Sequence, residues 1–219
     1  MSNELTAYRI AASAGEGEIE EKKSRFICHI RPVQSEEEAL AFIEEMKKTY
    51  WDARHNCYAF ILGKKQEIMR YSDDGEPGGT AGKPILEVLS GAGLCYTAAV
   101  VTRYFGGTLL GTGGLVRAYT QATQAGLAQS RLVWMCPGDQ LTITADYTAM
   151  GKIRYAIEQM GMSPADMEYA ADVTMNLIAP QELTEAVIKK VTEVSNGQAK
   201  IVRGDVTYFE QSTNKSDLT

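Results

Sequence analysis

The chain has 219 residues, 44% of them hydrophobic, with 22 Lys and Arg against 28 Asp and Glu, a net charge of −6. That composition builds a real core in one large or two small domains and excludes a disordered chain. No apolar run approaches the roughly 20 residues of a membrane helix, and an acidic chain is not held to nucleic acid by bulk charge.

In chain order, the first residues to about 7 read as a frayed end. Strands are expected over 8–14 and 19–33, the second interrupted by the charges Glu20, Glu21, Lys22 and Lys23, which fit either a hairpin or an exposed edge. Ser35 and Glu38 form a capping box, Ser35 as N-cap, and Leu40, Ile43 and Met46 give helical spacing to about 50. Residues 57–62 and 67–71 flank Gly63-Lys64-Lys65-Gln66, a second hairpin signal. A polar, glycine-rich loop fills 72–84. Pro84 suits the first position of a short helix to about 89, which Gly91 and Gly93 end. The apolar run 95–104 reads as a buried strand. A second glycine-rich loop follows, and then a helix from near Gly113 to 130.

Cys136-Pro137-Gly138-Asp139 reads as a linker. Beyond it, a strand over 140–145, a helix over 149–160, strands over 163–169 and 172–177, a helix over 182–194 and a strand over 200–208 give the order β-α-β-β-α-β, the ferredoxin-like pattern. The tail from Gln211 has no apolar periodicity. The expected organisation is therefore α+β, with domains at 1–135 and 139–210. Charge is uneven between the parts: residues 1–135 carry 15 basic against 16 acidic residues, and 136–219 carry 7 against 12. A local basic patch is expected only in the first.

The motif evidence is partly negative. Gly78-Gly79-Thr80-Ala81-Gly82-Lys83 hints at a phosphate loop, but Pro77 and Pro84 stand where G-x-x-x-x-G-K-[ST] needs glycine and a hydroxyl. Gly111-Thr112-Gly113 fails the dinucleotide fingerprint at Val116. No G-x-S-x-G, H-E-x-x-H or C-x-x-C occurs. Cys28, Cys57, Cys95 and Cys136 are scattered, which points to reduced thiols in a cytoplasmic protein. The N-terminus is polar and short of basic residues, so no signal peptide is expected. His55 and Cys57 share a strand face, a spacing open to a metal or a thiol–imidazole nucleophile, or to a buried thiol and a hydrogen-bonded histidine. No third ligand is evident, and no metal or cofactor is expected.

Positive evidence sits in the two loops. Arg103-Tyr104-Phe105-Gly106-Gly107 leads through Gly111 and Gly113 to a helix start with free N–H groups, a weak anion site flanked by Arg103 and Arg117, unless Arg103 pairs instead with a carboxylate such as Asp73 or Glu76 and serves stability. Asp73, Asp74 and Glu76 place three carboxylates in four residues, suited to a cation or to acid–base work, or merely to closing a turn. Lys83 ends the same loop. Tyr96, Tyr104, Phe105 and Tyr119 are either stacking platforms for bases or core.

These motifs carry a resemblance. Ala53-Arg54-His55-Asn56-Cys57-Tyr58-Ala59, Asp73-Asp74-Gly75-Glu76-Pro77 with Gly79-Thr80-Ala81-Gly82, and Arg103-Tyr104-Phe105-Gly106-Gly107 with Leu110-Gly111 resemble the signature of the IMPACT family, also called the YigZ or UPF0029 family. The resemblance covers nearly the whole chain: 15–130 looks like the IMPACT domain and 140–205 like the ferredoxin-like domain of bacterial members. It implies a first domain of the type seen in ribosomal proteins and elongation factor G, and a second similar to the C-terminal domain of elongation factor G. Eukaryotic relatives regulate translation initiation by binding the large activator of the amino-acid-starvation kinase, and the loops of bacterial ones have been read as a nucleic-acid or phosphate surface.

Together the readings predict a cytoplasmic, monomeric regulator of translation that binds RNA, the ribosome or an associated factor. The binding residues would be Arg103, Gly106, Gly107, Gly111, Gly113, Arg117, His55, Asp73, Asp74, Glu76 and Lys83, and the second domain would dock a protein partner. No membrane is involved and no catalytic residue is assigned. The competing class is a hydrolase of a small phosphorylated or peptide substrate, using His55 with Asp73, Asp74 and Glu76.

Overall fold

In the computed structural model, residues 5–211 are described. Most of the two expected frayed ends lies outside them, although Gln211 closes the last strand. The chain divides into two compact units, Tyr8–Trp134 and Met135–Gln211.

The first unit is built on one antiparallel sheet. Its order is β2 (Gly15–Glu21), β3 (Ser24–Pro32), β7 (Thr97–Tyr104), β4 (His55–Leu62) and β5 (Ile68–Ser72). Alternation along the strands gives the sheet two apolar faces. Phe26, Cys28, Ile30, Cys57, Ala59, Ala99 and Val101 face α2 (Gly82–Gly91) and α3 (Thr112–Ala128). Phe60, Leu62, Ala98 and Val100 face α1 (Glu36–Thr49). Half of the α1 capping box is as expected: Ser35 Oγ accepts from the Glu38 N–H, but the Glu38 carboxylate reaches one residue further back and accepts from the Gln34 N–H at 2.7 Å. The charged interruption is a two-residue hairpin, with Lys22 and Lys23 both left-handed at φ 49° and 64°. Those angles make it the type I′ turn that matches strand twist. Strand β1 (Tyr8–Ala11) pairs in parallel with the short β6 (Leu94–Cys95), and left-handed Tyr96 separates β6 from β7. The expected strand over 95–104 is therefore broken at its second residue.

Two expectations are corrected. Pro84 is not the first residue of its helix. Helix α2 begins at Gly82, and its leading N–H groups are capped from a distance: Asp73 Oδ1 accepts from Ala81 and Gly82 at 3.0 and 2.9 Å, and Oδ2 accepts from Gly79 at 2.8 Å. Nor is Cys136-Pro137-Gly138-Asp139 a linker. It lies inside one strand, β8 (Leu132–Ala145), whose residues 138–145 pair with β10 (Val173–Pro180). Asp139 is only 1% exposed, accepting from Thr184 Oγ1 at 2.6 Å and from the Arg203 guanidinium at 2.8 Å. Tertiary partners thus satisfy a tetrapeptide whose local chemistry favours a turn.

The second unit has sheet order β11 (Lys200–Gln211), β8, β10, β9 (Asp166–Tyr169). Leu141, Ile143, Met175 and Leu177 pack on α4 (Tyr147–Gln159) and α5 (Thr184–Val194) through Met150, Ile153, Ile157, Val187 and Val191. Asp146 caps α4, accepting from the Ala149 N–H. This is the ferredoxin-like β-α-β-β-α-β fold.

Candidate functional site

Three strand ends meet at one end of the first sheet. Register pairs Phe26 with Arg103 and His55 with Arg103, so the start of β3, the end of β7 and the start of β4 lie side by side. A cavity of about 420 Å³ opens there. It is lined by Arg54, His55, Glu76, Pro77, Arg103 and Phe105, and by Leu109 to Thr112 with Leu115.

Arg103 forms the floor. Its guanidinium meets Glu76 Oε1 at 2.6 Å, with side chains only 7% and 4% exposed. Tyr119 Oη donates to the same oxygen at 2.8 Å, and the Cys57 thiol donates to Tyr119 Oη at 3.3 Å and lies 3.0 Å from the Asp73 carbonyl. The guanidinium also lies 5.4 Å from the Phe26 ring and 5.6 Å from the Phe105 ring, within cation–π range. Its Nε–H is buried with no acceptor among the described residues. Burial, foremost, and then the neighbouring Cys57 and Glu76 push the Tyr119 hydroxyl far above the usual phenol range. Burial likewise raises the Cys57 thiol, against the Tyr119 hydrogen bond, which lowers it.

The loop carboxylates are committed inside the protein. Asp73 caps α2, Asp74 Oδ2 accepts from the Asn56 N–H at 2.7 Å, and Glu76 holds Arg103 and Tyr119. Among the described residues, no three His, Cys, Asp or Glu side chains are grouped to hold a metal ion. His55 Nδ1 lies 2.8 Å from the Asp74 carbonyl, which can only accept. Nδ1 therefore donates this hydrogen bond, and no partner to Nε2 is found among the described residues.

Glycine shapes the loop. A Cβ on Gly106 would stand 2.0 and 2.1 Å from the Lys23 carbonyl carbon and oxygen, and the Gly106 N–H donates to Ser24 Oγ at 3.1 Å. Only glycine lets the loop lie against the Lys22–Lys23 turn. Gly111, at φ 72°, N-caps α3 with no side-chain hydrogen bond and no acid in the first turn, so the leading N–H groups stay available.

Of the predicted residues, His55, Glu76, Arg103 and Gly111 line the cavity. Gly106 and Gly107 flank it, and Gly113 and exposed Arg117 follow on α3. Asp73, Asp74 and Lys83 do not line it; Lys83 is exposed and stands 3.8 Å from Glu87. Arg103 was expected as a charged contact for phosphate, but its charge is neutralised by buried Glu76. Sequence reasoning missed Arg54 as a site residue. It is exposed, lines the cavity and has no ion-pair partner among the described residues. Its place beside His55 was the available signal. The apolar wall of Leu109, Leu110 and Leu115 was also missed.

All four cysteines are free and buried. A chromogenic disulfide reagent should therefore find no fast-reacting thiol in the native protein and four after denaturation. Rapid titration of Cys57 would contradict the buried network.

Residues 22–127 match the model of the Impact N-terminal domain, and 143–198 match a domain of unknown function (DUF1949). The chain is 41% identical over 210 residues to the Bacillus subtilis IMPACT family member YvyE, covering 96% of this chain and 97% of that protein. It is 36% identical to the Escherichia coli IMPACT family member YigZ, over 83% and 90% of the two chains. A crystal structure of a hypothetical protein superposes with a TM-score of 0.58 at 34% identity, covering 92% of this chain and 98% of that one. No helix among the described residues is long and apolar enough to cross a membrane.

Proposed function

Because the chain belongs to the IMPACT family, we propose that it acts in the cytoplasm as a regulator of translation, binding RNA through the cavity of its first unit. One observation carries the reading: an arginine with no ion-pair partner among the described residues, an open helix N-terminus and a half-exposed aromatic ring converge on one concave site. Phe105 is 45% exposed and offers a face on which a base can stack. Arg54 and the N–H groups leading α3 suit a phosphate. The His55 imidazole, which also lines the cavity, adds a hydrogen-bonding group beside them. Leu109, 83% exposed, adds apolar surface at the mouth. With nearly balanced charge in 1–135, attraction is local, so recognition depends on this constellation and not on a basic surface. The second unit would hold a protein partner.

The hydrolase reading has less support, because the carboxylates it needs as acids or bases are spent on backbone N–H groups, Arg103 and Tyr119.

Fluorescence titration with a labelled single-stranded RNA tests the proposal. Arg54→Ala should weaken binding by about 1–3 kcal/mol, the usual cost of one charged contact. Its stability should change by no more than about 0.5 kcal/mol, because the side chain is exposed and unpaired. Unchanged affinity overturns the site. In parallel, the protein should sediment with ribosomal particles at low salt and leave them at high salt.

A further inference from the structure

The Lys22–Lys23 turn lies outside the cavity, yet the fold ties it to the cavity wall. Gly106 closes on the Lys23 backbone, and Ser24 Oγ, one residue on, accepts from the Gly106 N–H and faces the Arg103 guanidinium at 3.5 Å. Lys22 and Lys23 are exposed and have no ion-pair partner among the described residues. Strand order then sets the layout. Antiparallel β3, β7 and β4 place the start of β3, the end of β7 and the start of β4 at the same edge of the sheet. Lys22 and Lys23, then Phe105 and Gly106, then Arg54, stand in a row across three neighbouring strands. The row spans two inter-strand spacings, about 10 Å, too wide for one phosphate group.

We infer that this row is a track for single-stranded RNA several nucleotides long, with the cavity as one station on it. The inference rests on the cavity reading above and extends it. The lysines would take backbone phosphates on one side, Arg54 would take one on the other, and Phe105 between them would stack the base. The aromatic ring at the centre favours RNA over an acidic peptide, which has no planar group to stack there. Glu20 and Glu21 stand on β2 just before the turn, and Asp52, near Arg54, accepts from Tyr104 Oη at 2.7 Å. The track therefore gains from removing an acid as well as from its bases.

The test uses the full chain with AMP, oligoadenylates of four and ten nucleotides, and polyglutamate. Affinity should rise at least tenfold from AMP to the tetranucleotide. Three cations on phosphates should give a log–log salt slope near −2 for the oligomers, at about −0.7 per contact on a single strand. Lys22→Asn with Lys23→Gly keeps the turn, since Asn-Gly is the favoured type I′ pair. This double variant should weaken the tetranucleotide about tenfold, bring the slope near −0.7, and leave AMP unchanged; Glu21→Gln should tighten the tetranucleotide. If AMP binds as tightly as the tetranucleotide, or the double variant has no effect, the track is wrong and the cavity reading stands. If neither AMP nor oligomer binds, the cavity reading fails with it. Equal competition by polyglutamate overturns the RNA assignment.

Discussion

Arg103→Ala is expected to cost about 3–5 kcal/mol of stability, because it leaves the Glu76 carboxylate buried without its cation. The pair is nearly dry, at 7% and 4% exposure, and among the described residues Tyr119 supplies the only other hydrogen bond to Glu76 Oε1. Glu76→Ala should cost a similar amount by stranding the guanidinium, whose Nε–H already lacks a partner among the described residues. The two single losses should not add: with both charges gone, the double variant should be more stable than their sum predicts. Denaturant melts of the three variants decide this. A fall of less than about 1 kcal/mol for Arg103→Ala, together with collapsed RNA affinity, would mean that Arg103 serves the ligand directly rather than holding the floor.

The second large effect is expected at Gly106. In Gly106→Ala the new methyl group meets the Lys23 backbone, not a flexible side chain, so either the hairpin turn or the loop must move. Overpacking of this kind costs about 1–3 kcal/mol. RNA affinity should fall with it, since Phe105 is the neighbouring residue. Gly107 gives the control. A Cβ there meets nothing within 4 Å, and only its left-handed φ of 84° resists substitution. Gly107→Ala should therefore cost about 1–2 kcal/mol and disturb the Lys23 contact much less. Thermal melts and RNA titrations of the two alanine variants, run side by side, separate close packing from backbone strain. Equal behaviour would remove the close approach as the reason for glycine at 106.

What was legible follows the range of the forces involved. The α1 cap and the Lys22–Lys23 hairpin are local signals, each read from a few neighbouring residues, and the β-α-β-β-α-β order is a succession of such local periodicities. The site was legible as a set of loops, since His55, Glu76, Arg103 and Gly111 do come together. Their roles were not. Arg103 read either as a charge for phosphate or as the partner of Asp73 or Glu76; the carboxylate lies 27 residues away, and only the packing of loop 72–82 against β7 selects Glu76. Asp73 read as a turn former or a cation ligand, yet it caps a helix eight and nine residues downstream. The Pro-Gly-Asp break failed in the same way, because Arg203 and Thr184, far along the chain, hold Asp139 in a strand.

The Asp73 cap also explains why the stretch from Gly78 to Lys83 looks like a phosphate loop without being one. A phosphate loop is a concavity of backbone N–H groups left empty for a guest. Here Gly79, Ala81 and Gly82 point their N–H groups at one carboxylate belonging to the chain itself. The nest is self-liganded: its anion arrives by folding, at an effective concentration no free phosphate can match. Dissolved anions therefore have no purchase on this loop, and ionic strength, which should loosen RNA from the strand ends nearby, should leave it closed.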